Sequence, residues 1–201
     1  MSARADRSPA LAWLAAATFV ALALTAEAVS QSPWLKPSAE RSPFSWAAAL
    51  TILFGAGCAV VLARRNHGWQ RVLLAILLVS IGLDEALGLH ERFAADLDAR
   101  RVSLGWSSVA LAVEASLLGA AALLLALEAR IGRESLLVAG VVLLAVALAG
   151  RLGGGALAAL HQLPGGDPRR VGEAAMEGMA LSGWVLVAAG LLGRVRVRAA
   201  D

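Results

Sequence analysis

The sequence has no tyrosine, one cysteine, one lysine (Lys36) and only 16% charged residues in 201. Each shortage excludes something. A soluble domain carries about 25% charged residues and about 45–50% apolar ones, whereas this chain is 59% hydrophobic. It lacks the polar surface that a water-exposed fold of this length needs, while a lipid-facing surface stays apolar. The lone Cys58 lies in an apolar stretch, so neither an intramolecular disulfide nor a zinc ribbon can be built from it. Seventeen arginines and Lys36 exceed the acids by only +3 and are spread along the chain, which excludes a nucleic-acid patch. Abundant Ala, Arg, Gly and Leu, with no Tyr and almost no Lys, point to a GC-rich bacterial genome. Also missing are a nucleophile elbow, a phosphate loop, a cofactor fingerprint, and any Glu-x-x-His or His-x-x-x-His pair.

What the chain does have is apolar runs. About 20 apolar residues cross a hydrocarbon core of about 30 Å, and six such windows fit: 11–29, 44–63, 72–91, 106–127, 135–158 and 174–193. The expected fold is all-α, a polytopic transmembrane bundle forming one integral membrane domain over residues 1–201. The breaks carry turn and charge signals such as Arg64-Arg65-Asn66-His67-Gly68 and Pro164-Gly165-Gly166-Asp167-Pro168. Five of the six tryptophans fall near span ends, as an aromatic belt requires, and Trp184 is the exception. Arg4 and Arg7, an apolar run and Ala26-Glu27-Ala28 also fit a signal peptide, whose cleavage would leave five spans.

Lys and Arg count ten on the side of the termini and seven on the other. By the positive-inside rule both termini are cytoplasmic, in a bacterial inner membrane. With that orientation, the ionisable residues inside spans fall in the outer half. At 1.5 Å per residue, Asp84, Glu114 and Arg151 lie about 10–12 Å below the outer ends of their spans, Glu177 about 6 Å and Glu27 about 3 Å. The opposite halves, such as 72–81 and 136–147, are apolar apart from Ser80. Charges inside spans face a bundle interior, pair, or mark a pathway, so charges from five helices at similar depth predict one polar cavity near the outer face.

Asp84 and Glu91 are seven apart and share a helix face with Gly88 between them, whereas Glu85 and His90 point about 100–120° away on either side. Glu173 and Glu177 are i,i+4 neighbours. One basic group, Arg151, stands against Glu27, Asp84, Glu85, Glu114 and Glu177; an ion pair with Glu114 or Glu177 is its simplest role. Carboxylates brought together take up protons or hold a cation, and a histidine shifts the choice of ion toward zinc, iron or manganese. The glycines around Arg151 read as close helix packing through Gly150 and Gly154, or as a broken helix exposing carbonyls to the cavity.

The stretch Asp84-Glu85-Ala86-Leu87-Gly88-Leu89-His90-Glu91 resembles a group of bacterial multipass membrane proteins that carry Asp-Glu, four residues, then His-Glu late in one span. That group also begins its last span with glutamates, matched here by Gly172-Glu173 and Glu177-Gly178, with Glu173 alone where a pair is usual. The resemblance implies that these residues belong to one site; it implies no activity.

The expected ligand set for a divalent cation is therefore Asp84, Glu85, His90, Glu91, Glu114 and Glu177, supported by Arg151, Glu173 and Glu27. Three functions fit it. A bound metal could activate water or dioxygen in a membrane enzyme. The same acids could relay cations or protons in a transporter, although the apolar inner halves and the lack of an inverted repeat do not complete a path. Or the charges could only pair helices in a non-catalytic subunit. The lipid bilayer is the one partner implied.

Overall fold

Without water, a backbone amide finds its partner only within a helix or a closed barrel, and runs of Leu, Ala and Val favour the helix. The computed structural model describes residues 8–30, 32, 35, 37, 42–66, 68–89, 106–132, 134–152 and 168–200; within them the side chains of 8, 66, 106–112, 114, 131, 132, 151, 152, 168, 169 and 198–200 are not described. Six helices occupy them: α1 (Ser8–Val29), α2 (Pro43–Asn66), α3 (Trp69–Leu87), α4 (Trp106–Gly132), α5 (Ser135–Leu152) and α6 (Pro168–Ala200), with no strand among the described residues. Three contain segments long and apolar enough to cross a membrane, Pro9–Val29, Pro43–Arg65 and Arg170–Val197, and Ser135–Gly150 is a shorter apolar helix.

Local chemistry sets several helix ends. Ser42 caps α2 through its hydroxyl, which accepts from the Ser45 amide at 3.3 Å, and Pro43 takes the first helical position, where no amide donor is needed. α3 stops at Leu87 because Gly88 turns left-handed (φ 58°, ψ 44°) and donates its amide to the Asp84 carbonyl at 2.7 Å. The expected continuation to Glu91, and with it one unbroken face from Asp84 to Glu91, is therefore corrected; residues 90 and 91 lie outside the described residues. At the other ends the helices run past the expected spans: α4 extends to Gly132, and α6 starts at Pro168 and reaches Ala200.

Helices α2, α3, α4, α5 and α6 pack in a closed ring, each against the next and α6 back against α2; α1 lies outside, against α6. Ala12 and Ala16 of α1 share a small cluster with Leu136 of α5 and Leu186 of α6. The main core is the ring interior, where Ile52, Leu74, Leu78, Leu125, Leu137 and Leu191 are fully buried. Large apolar side chains also face outward, among them Leu14, Leu50, Phe54, Ile76, Leu123 and Val142, a surface that suits lipid rather than water.

Small residues let α6 approach its neighbours. A Cβ at Gly140 of α5 would sit 2.8 Å from the Gly183 carbonyl oxygen of α6, and one at Gly178 would sit 3.0 Å from the Ala23 side chain of α1. Gly150 packs directly on Met176 within a helix that continues to Leu152, which is the packing reading of that glycine; 153–155 lie outside the described residues. The Ser182 hydroxyl of α6 lies 2.6 Å from the Ala16 carbonyl of α1, so a polar contact joins these two helices as well.

One end of the ring is closed by charge. Glu128 of α4 is 4% exposed and takes two arginines, Arg71 of α3 and Arg194 of α6, themselves 9% and 6% exposed. Arg71 donates Nε to Oε1 at 2.8 Å and Nη2 to Oε2 at 3.3 Å. Arg194 donates Nη1 to Oε2 and, at 2.7 Å, to the Glu128 backbone carbonyl. Beside this triad, Arg65 of α2 donates Nη1 to the Val195 carbonyl at 3.0 Å. Arg71 and Arg194 thus are not the loop charges expected from the sequence, and buried charge is not confined to the other end of the helices.

Two measurements check this packing. Glu128→Gln leaves two buried guanidinium groups short of their counter-charge and is expected to lower unfolding stability in detergent by about 3–5 kcal/mol; a loss of about 1 kcal/mol or less, the size of an exposed pair, would contradict a buried triad. Gly140→Val should cost about 1–3 kcal/mol through forced separation of α5 and α6, whereas Gly57→Ala, with nothing within 4 Å of the added methyl, should not lower the melting temperature and should raise it slightly, since Ala is favoured over Gly in a helix interior.

Candidate functional site: an acidic cavity inside the helix ring

At the opposite end from the triad, the five ring helices enclose a cavity of about 170 Å³. Asp84 lies thirteen residues along α3 from Arg71, and Glu177 seventeen residues along α6 from Arg194, so roughly 20–25 Å separates the two ends. Every ring helix contributes wall: Phe44 and Ala48 from α2, Ile81, Asp84 and Glu85 from α3, Leu117, Leu118, Gly119 and Ala122 from α4, Leu144, Ala145, Ala147 and Leu148 from α5, and Glu177, Ala180, Leu181 and Trp184 from α6. α1 supplies none.

The cavity is layered. Along α3, Asp84 and Glu85 fall in the last turn and Ile81 lies a turn deeper; along α6, Glu177 stands one turn from Ala180 and Leu181 and two from Trp184. The three carboxylates, each half-buried, therefore sit at one level of the wall, and the described wall residues deeper along α3 and α6 are apolar. Trp184 is only 5% exposed; the tryptophan that did not fit an interfacial belt is a wall of this cavity.

Asp84 and Glu85 sit where a helix least favours them. The C-terminal turn carries the negative end of the helix dipole, so an acid there is worse placed by about 0.3–1 kcal/mol than elsewhere on the surface. α2, α4 and α6 begin at this end and present positive helix ends, but the charged side chains described on the cavity wall are all acidic. Placing like charges against a dipole is a local conflict of the kind found at functional sites.

Of the residues expected from the sequence, Asp84, Glu85 and Glu177 come together on this wall. Glu173 is half-buried one turn before Glu177 and is not on the wall; Glu27 is buried near the end of α1, outside the ring. The backbone of residue 114 belongs to α4, three and four residues from Leu117 and Leu118, and that of residue 151 to α5, three and four from Leu148 and Ala147; neither side chain is described. His90, Glu91 and His161 lie outside the described residues. Among the described residues no three acidic, histidine or cysteine groups are set to hold a metal ion.

Sequence reasoning missed the triad and the place of Trp184. The triad's signal was present: Glu128 follows an unbroken apolar run, and Arg71 and Arg194 border apolar runs of their own. Compared with models of protein families, with curated proteins and with solved structures, the chain matches none.

The negative wall predicts charge-selective chemistry. In Ala122→Cys and Ala180→Cys proteins, a cationic thiosulfonate is expected to modify the new thiol faster than an anionic one of similar size, while native Cys58, 7% exposed in α2, reacts with neither in the folded state. Equal rates for the two reagents would show that the carboxylates do not set the potential in the cavity.

Proposed function

We propose that this protein is a six-span bundle of a bacterial inner membrane, with both termini cytoplasmic, whose ring cavity binds a cation from the outer side. The observation that carries this reading is the division of charge between the two ends. Of the arginines with described side chains, Arg64, Arg65, Arg71, Arg130, Arg194 and Arg196 lie at the triad end of their helices and Arg170 alone at the other, where Asp84, Glu85 and Glu177 line the cavity. An excess of arginine marks the cytoplasmic side, and an acidic wall with apolar depth attracts positive charge and concentrates it. The three helices with membrane-crossing segments support the assignment, and α3, α4 and α5 complete the six spans. α3 is 19 residues long, and its Asp84 and Glu85 face the cavity instead of lipid.

Cation binding here covers a divalent metal, zinc, iron or manganese, held with help from His90, Glu91 or Glu114, as well as an organic cation. A bound metal would supply a Lewis acid for a membrane enzyme, with a carboxylate as base. Transport is the second reading, and one observation weighs against it: fully buried Leu74, Leu78, Leu125 and Leu137 plug the ring between cavity and triad, so alternating access would have to open this packing.

Ligand-dependent melting tests the binding claim. A ligand at a hundredfold its Kd stabilises the folded state by about 2.7 kcal/mol, which for a chain of this size raises Tm by roughly 5–10 °C. Some member of a panel of zinc, manganese, ferrous and small ammonium ions should do this for the native protein and not for Asp84→Asn/Glu85→Gln/Glu177→Gln. A panel without any effect on the native protein would refute cation binding. Reporter fusions give the orientation: the 67–68 turn is expected inside and residues 90–105 outside.

A further inference from the structure

We infer that the cation is a small organic ammonium with an apolar body, held head-outward by Asp84, Glu85 and Glu177 with its body against Trp184. This rests on the cation-binding reading and narrows it to a ligand class. Volume is the first argument. A cavity of about 150 Å³ with an apolar lining accommodates benzene, and this one measures about 170 Å³; a bare metal ion would leave most of it empty. A metal ion with its water shell would fill the space but would set those waters against Ile81, Leu118, Leu144 and Leu181, which offer no acceptor, and water needs two to four polar partners to stay in a cavity.

The layering is the second argument. Among the described wall residues, the charged groups lie at one level, on α3 and α6, and those deeper along the same helices are apolar, with Trp184 the deepest on α6. That is the shape of an amphipathic cation: an ammonium donates hydrogen bonds to carboxylates at one end, and its body removes apolar surface from water at the other, at roughly 25 cal/mol per Å². Trp184 stands seven residues from Glu177 and so on the same face of α6, about two turns deeper, where it gives the ligand's body an apolar wall.

Benzylammonium chloride is the probe, with benzyl alcohol as its uncharged counterpart of the same shape and manganese and zinc chlorides as bare ions. In detergent-purified full-length protein, benzylammonium should raise Tm saturably, whereas the alcohol at equal concentration leaves it unchanged. Glu177→Gln should weaken the benzylammonium Kd about tenfold or more, the loss of roughly 1.4 kcal/mol of charge-assisted contact. Filling the depth from either of two helices, by Ala122→Leu or Ala180→Val, should weaken it similarly; using both keeps the test intact if one variant does not fold. Stabilisation by the metals alone would overturn this inference and leave cation binding standing. Stabilisation by neither class would overturn both. Benzylammonium binding that survives both cavity fillings would place the ligand elsewhere and also overturn it.

Discussion

A single carboxylate, Glu128, accepts from guanidinium groups that reach it from two other helices, and the geometry of the ring depends on that convergence. A lone ionised side chain this deeply buried would cost several kcal/mol, and a pair regains that only with good geometry and further hydrogen bonds. Glu128 has both: Arg71 reaches it with two nitrogens, and Arg194 bridges its side chain and its backbone carbonyl. Because α3, α4 and α6 must each present one residue at the same level, the triad sets their register. Such a contact need not exceed an apolar core in stability; it specifies which arrangement of helices forms.

The two ends of the ring then do different work. At the triad end one carboxylate is shared by two guanidinium groups, which leaves the end positive, and Arg65 ties it further through the Val195 carbonyl. The cavity end gathers carboxylates on a wall, two of them against the dipole of the helix that carries them. Between the ends lies a plug of leucines and alanines packed through glycine contacts at Gly140 and Gly183. A paired end and a packed middle can hold a charged pocket in place, which is how binding sites are usually supported.

Much of this was legible in the sequence because long apolar runs impose a coarse pattern. Six apolar windows became six helices, and Asp84, Glu85 and Glu177 share a level because 1.5 Å per residue converts position into depth. The misreadings have equally physical causes. Arg71 and Arg194 look like loop charges because hydropathy ends a span at the first charge, whereas a helix continues as long as its charge finds a partner. Gly88 looks like a tolerated residue within a helix; its left-handed backbone ends α3 and removes the face that would have linked Asp84 to Glu91.

By itself the sequence determined the helical class, the approximate helix positions and the concentration of acids toward one end, since these follow from composition and from a period of 3.6 residues along one chain. Only the tertiary structure decided which helices are neighbours: that α1 lies outside the ring, that Trp184 closes a cavity, that Glu27 and Glu173 stay off its wall, and that Glu128 meets two arginines. Contact between side chains 57 and 66 residues apart depends on how helices rotate and pack against one another, and no local period along the chain encodes that rotation.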